Sequence, residues 1–155
     1  MSTSGNQKRL MKSAARLYAV QALYQMEQSG QTADQVRVEF LDHRFGEQFE
    51  DYEMVEGHVG LFTKTIDDAV NHQALIDQMT DRGLVAKWPI DRIDPTLRAL
   101  FRAAGAELTQ ADTPPKVVIS EYVGVATAFF AEGREPKFVN AVLDHMAREA
   151  RPEAF

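Results

Sequence analysis

The sequence predicts an all-α protein of about seven helices that divide near the midpoint into two small bundles. Three observations predict it. Apolar residues recur at three- and four-residue spacing along most of the chain, no segment keeps a period-two alternation rich in β-branched residues, and glycine, proline and capping residues stand where helices should start and stop. At 155 residues and 45% hydrophobic content the chain suits one domain over 1–155, with sub-bundles at approximately 7–71 and 72–149.

The first helix is expected from about Gln7 to Gln28, ending at Ser29-Gly30, where glycine supplies a terminus. Thr32-Ala33-Asp34-Gln35 fits a capping box and opens a second helix that ends near Phe45-Gly46. A third begins near Asp51 and carries Tyr52, Val55, Val59, Phe62, Ile66 and Ala69 on one face. A shorter fourth, with Leu75, Ile76 and Met79, ends at Arg82-Gly83, and Trp88-Pro89 interrupts the pattern. Asp94-Pro95 reads as an N-cap followed by a first-turn proline, starting a fifth helix that runs to about Leu108. After the polar link TQADTPP, Pro115 starts a sixth with Val118, Tyr122, Val125, Ala126 and Phe129 on one face, broken at Glu132-Gly133. The seventh is EPKFVNAVLDHMARE, residues 135–149.

That last helix has two kinds of residue in it. Pro136 fits a first turn, where its missing N–H has no partner to lose, and Val139, Val142, Leu143 and Met146 form a stripe that can be buried. Lys137 sits where a helix N-terminus already favours an anion. Phe138 faces either the core or a ligand, and Asn140 is read as a structural amide bonded to a neighbouring helix end or loop.

The net charge of −6 argues against a nucleic-acid partner until its distribution is considered. Residues 1–26 hold Lys8, Arg9, Lys12 and Arg16 and no acid, a local +4, which leaves 13 bases against 23 acids, −10, for the remainder. Such polarity steers a polyanion to one end. Lys8, Lys12 and Arg16 follow one another at i, i+4 and i+8 with Arg9 beside them, while Leu10, Ala14, Leu17, Gln21 and Tyr24 take another arc, with Val20 at its edge, so the cations are expected to stay in water. A solvated charged face is the plain alternative. Against it, cations at a helix start oppose the dipole and lack the i, i+4 acids that a merely soluble helix carries, which points to an external anion.

Cysteine is absent, which removes disulfide and thiol chemistry and agrees with a cytoplasmic setting. No signal-peptide run and no window near ~18 apolar residues occurs, so no membrane is expected. Nor does the sequence hold a glycine-rich phosphate loop or a G-x-S-x-G elbow. His43, His58, His72 and His145 form no H-x-x-x-H pair, so neither metal nor cofactor is expected. Asp67 and Asp68 are adjacent on a helix and point apart, and Glu107 with Glu121 is read as a surface pair. The expectation is a binding protein, not an enzyme.

Four segments then carry a resemblance: ARLYAVQALY (15–24), Trp88 with Asp91-Arg92-Ile93 and LRALFRA (97–103) ending in Glu107-Leu108, PKVVISE (115–121), and KFVNAVLD (137–144). Together, in this order, they resemble the NusB family of bacterial transcription antitermination proteins over roughly residues 8–148. The resemblance implies two three-helix bundles and no enzymatic activity. It implies binding of boxA-type single-stranded RNA of ribosomal RNA transcripts, jointly with a small-subunit ribosomal protein acting as NusE, within a complex of other Nus factors and RNA polymerase. By position it assigns RNA contact to Lys8, Arg9, Lys12, Arg16, Tyr24, Lys137 and Phe138; whether Tyr24 faces core or surface stays open. The chain departs from the pattern at Ser13 and Ala14, which interrupt the basic run, and at Ser120 in place of asparagine. Leu97 and Arg134 stand where acids are usual and are further candidates for RNA or partner contact. A helical accessory module of an RNA-modifying enzyme and a purely protein-binding adaptor are the alternatives, the former disfavoured by the missing cofactor loop.

Overall fold

The computed structural model describes residues 5–45, 55–84, 90–130 and 133–155, and their side chains except at 6, 7, 44, 45 and 55–58. The expectations for Gly46, Asp51, Tyr52, Trp88-Pro89 and Glu132 lie outside the described residues. Within them are seven α-helices: α1 (Gly5–Ser29), α2 (Ala33–Phe40), α3 (Val55–Asn71), α4 (Gln73–Gly83), α5 (Pro95–Gln110), α6 (Pro115–Phe129) and α7 (Glu135–Ala150), with a π-helical turn, Leu41–Phe45, continuing α2. No strand occurs among the described residues.

The local signals act as their chemistry requires. Gly30 at φ 76° takes the left-handed conformation that stops α1, and its N–H reaches the Met26 carbonyl at 2.9 Å. Thr32 and Gln35 form the reciprocal capping box. Asp94 accepts from the Thr96 N–H at 2.7 Å, with Pro95 in the first turn. At its far end α5 is capped by an arginine: Arg151 donates to the carbonyls of Leu108 and Ala111 and adds a second donor to that of Glu107, which also accepts from the Ala111 N–H, at 2.6–2.9 Å from the guanidinium.

Helix α5 is the centre of the packing. It touches α1 and α3 on one side and α4, α6 and α7 on the other, and nearly all of Leu97–Leu108 is buried. Gly105 permits the closest approach: a Cβ there would lie 2.4 Å from the Ile76 side chain on α4. Phe40 stacks on Phe62 at 5.7 Å between ring centroids, joining α2 to α3 under α1.

The rotation of α1 differs from the expected one. Its buried face is Met11, Ala15, Ala19, Val20, Ala22 and Leu23, whereas Leu10 is 58% exposed. Three alanines in this stripe let α1 sit close against α3 and α5, so packing depth outweighs the hydrophobicity of Leu10. Elsewhere Leu75 and Phe129 are also exposed, and Asn140 lies in solvent rather than in a buried hydrogen bond. No described helix is long and apolar enough to cross a membrane.

Candidate nucleic-acid interface

At 100° per residue Lys8, Lys12 and Arg16 share the azimuth of Ala15 and Ala19, which is the inward face of α1. Lys8 and Lys12 are nonetheless exposed, although Met11 between them is buried. Neither lysine forms an ion pair among the described residues; Arg9 is exposed as well.

Arg16 corrects the expectation that the whole basic row stays in water. It is 5% exposed and lies inside the protein. Its Nε and Nη2 donate to the two carboxylate oxygens of Glu107 at 2.7 and 3.1 Å, and Nη1 donates to Glu121 Oε1 at 3.1 Å. Tyr122, fully buried, donates its hydroxyl to Glu107 Oε1 at 2.8 Å, and the Ser13 hydroxyl bonds Glu121 Oε1. Burial lowers the affinity of Arg16 for its proton, but the fork onto Glu107 outweighs it and the pKa is raised overall. Burial, then the Glu107 charge and hydrogen bond, push the Tyr122 phenol well above its usual value, so it remains a donor. The anion facing Arg16 is internal, and Glu107 with Glu121 is a shared carboxylate cradle instead of a surface pair. Asp67 and Asp68 do point apart, to Arg37 and Lys64 respectively.

Three clefts bear on the site, two of them walled by α1 and one at the start of α5. The first, about 310 Å³, runs between Ser13, Ala14 and Leu17 of α1 and Ser120, Gly124 and Ala128 of α6. The second, about 540 Å³, is edged by Tyr24 at 40% and Phe129 at 37% exposure, with Gln21, Gln25 and Thr96 in its wall. Gln21 Oε1 is buried there without a hydrogen-bond partner. Tyr24 therefore faces the surface. Phe129 is a correction to the sequence reading, which put it on the buried face of this helix: it is exposed at the helix end while its neighbour Phe130 packs against the core.

The third cleft, about 740 Å³, lies between the turn at 92–94 and the start of α7. Leu97 and Phe138 form its apolar floor. Phe138 is half-buried, its ring edge-on to Phe101 at 6.1 Å and 69°, so it belongs to the core and to the cleft at once. Leu97 is buried and can offer only apolar contact. Arg92 and Arg134 oppose Asp94 and Glu135 on the rim, which makes the cleft formally neutral, and Asp94 is spent on the α5 cap. Lys137 is exposed on the first turn of α7. Arg92 and Ile93 enter the sequence reading as part of a motif and not as site residues, since only the fold brings the 92–94 turn against α7. Thr96 and Leu97, consecutive on α5, face the second and third clefts and connect them.

An arginine holds the third cleft's wall. Arg98 Nη1 donates to the carbonyls of Ile90 and Ile93 at 3.0 and 3.3 Å, and its Nε donates to Glu27 Oε2 on α1 at 2.8 Å. Arg102 joins the same carboxylate at 3.1 Å and forks onto Asp77. The hydrogen bond from Arg98 is the main cause of a lowered Glu27 pKa, against the opposing effect of burial. A carboxylate with a depressed folded-state pKa binds fewer protons folded than unfolded. Its stabilisation is thus complete above the ordinary glutamate value, about 4.3, and is lost as pH falls through the folded pKa. Acid unfolding of Glu27→Gln is expected to show a shallower loss of stability below that value than the parent protein; parallel acid limbs in urea titrations at several pH values would contradict it.

The sequence matches the family model described as the NusB family over residues 13–148. A transcription antitermination protein NusB of Maricaulis maris is 49% identical over 155 residues, covering 99% of this chain and 96% of that one. Among solved structures, NusB of T. maritima superposes with a TM-score of 0.76 at 29% identity, covering 100% of this chain and 99% of that one. A structure of antitermination factors NusB and NusE in complex with dsRNA shares the fold, with a TM-score of 0.71 at 24% identity over 90% of this chain and 98% of that one.

Proposed function

This chain belongs to the NusB family, and from that premise we propose that it is a transcription antitermination factor binding boxA-type RNA of ribosomal RNA transcripts together with a small-subunit ribosomal protein, NusE. One observation supports this above the others: the exposed cations that start α1 and the ring edges of Tyr24, Phe129 and Phe138 at open clefts are carried by the same small domain. Phosphates are met by Lys8, Arg9 and Lys12, while exposed bases of a single strand find apolar ring edges to stack against. Lys137 adds a cation at the α7 N-terminus, where the dipole assists it. Arg134 is a further phosphate ligand and Leu97 a base or partner contact.

In this reading residues 1–155 are one RNA-binding domain with sub-bundles near 7–71 and 72–149. The protein is an adaptor without catalytic activity, working in the cytoplasm where other Nus factors and RNA polymerase meet the nascent transcript. Titration of boxA-type single strands, scrambled single strands and duplex RNA, each with and without the ribosomal protein, tests it. The boxA strand is expected to bind more tightly than the scrambled one, and more tightly again with the protein partner present. Equal affinity for all three RNAs would remove the sequence-specific reading, and no affinity for any of them would leave a protein-binding adaptor.

A further inference from the structure

The buried group that RNA contact leaves unexplained is Arg16. On the reading above, the RNA-facing cations are on the first two turns of α1, where Lys8, Arg9, Leu10 and Lys12 are exposed and only Met11 of residues 8–12 is buried. Such a thinly covered helix start frays readily, since its first N–H groups have no partners and its cations oppose the dipole. Something must hold its root. The contacts at that root are Ser13 and Arg16 on Glu121, and Arg16 on Glu107. They tie α1 to both α5 and α6 directly after Lys12, where mostly exposed residues give way to covered ones.

We infer that Arg16 is a positioning residue: held by Glu107 and Glu121, it pins the root of α1 so that Lys8, Arg9 and Lys12 are presented as a fixed row, and it does not itself touch RNA. The geometry favours this over contact. All three guanidinium nitrogens donate to carboxylates of the same chain, and reaching a phosphate would strip a buried glutamate of its partner. Glu121 is the accessible part of the pin, with its side chain 20% exposed and shared between Ser13 and Arg16.

Glu121→Gln separates the possibilities by sign. It deletes a negative charge near the cationic row, so electrostatics alone would make RNA bind more tightly. Loss of the pin instead lets the row move and lowers the fraction of molecules ready to bind, so affinity is expected to fall about 3- to 10-fold at a temperature where circular dichroism shows parental helix content. Amides of residues 5–13 are expected to exchange faster in the same variant, with those of α3 unchanged. Unchanged or tighter RNA binding by the folded variant would overturn the inference, since a purely structural pair would alter melting without weakening the folded protein's grip. If E121Q loses helix content, Ser13→Ala, which removes one contact of the pin and no charge, is expected to weaken RNA binding and speed exchange at residues 5–13, and no change in either would overturn the inference. The parental protein on boxA-type RNA is the control: if it does not bind, the functional reading fails, while the exchange measurement still judges the pin.

Discussion

Arg16→Ala is expected to destabilise the protein by about 3–5 kcal/mol, the cost typical of breaking a buried ion pair by removing one partner. Glu107 is 2% exposed and would keep only the Tyr122 hydroxyl as a donor, so its charge would be both desolvated and unpaired. At about 2–4 °C per kcal/mol for a chain of this size, the melting temperature should fall by roughly 6–20 °C. Urea denaturation measures the free energy directly. Combining Arg16→Met and Glu107→Leu with Tyr122→Phe, which removes the hydroxyl that would otherwise lose its acceptor, should recover much of the loss, because the penalty comes from the orphaned charge and not from the absence of an ion pair as such. A loss below about 1 kcal/mol, the range of exposed pairs, would mean that water reaches this network in solution. Exposed pairs such as Arg148 with Asp144 supply that comparison within the same molecule.

The contrast between Arg16 and its helical neighbours shows which parts of the structure are legible in the sequence. Helix ends are, because capping is local chemistry: Thr32 with Gln35 and Asp94 with Pro95 act within a few residues of themselves. The seam of α7 is also legible, since Val139, Val142, Leu143 and Met146 are large apolar residues at helical spacing and all four are buried. The rotation of α1 is not. A stripe of alanines carries little hydrophobic signal, yet it is where helices approach most closely, and Leu10 draws the expected face away from it. Arg16 is hidden for a further reason. Its partners lie 91 and 105 residues along the chain, so no local spacing distinguishes it from Lys12. Phe138 shows a third case: core and cleft look like alternatives in the sequence, but a ring edge-on to Phe101 serves both.

Lys8→Gln with Lys12→Gln is expected to have the largest effect on RNA binding without disturbing the fold, because both side chains are exposed and make no ion pair among the described residues. Each phosphate contact to a single strand contributes about 0.7 to the slope of log affinity against log salt. Lys8, Arg9 and Lys12 together give a slope of about −2.1, or a roughly 20-fold fall in affinity between 50 and 200 mM salt. Removing the two lysines should reduce the magnitude of the slope by about 1.4 and weaken binding on the order of 50-fold at 50 mM. Further contacts from Lys137 or Arg134 would steepen both lines but leave that difference unchanged. The difference therefore counts these two cations alone, which bare affinities cannot do. An unchanged slope in the double variant would show that phosphates do not reach the exposed cations of the first turns of α1. A loss of affinity with the predicted change in slope would place the backbone of the RNA along the row whose inner end, at Arg16, is already occupied by the protein's own carboxylates.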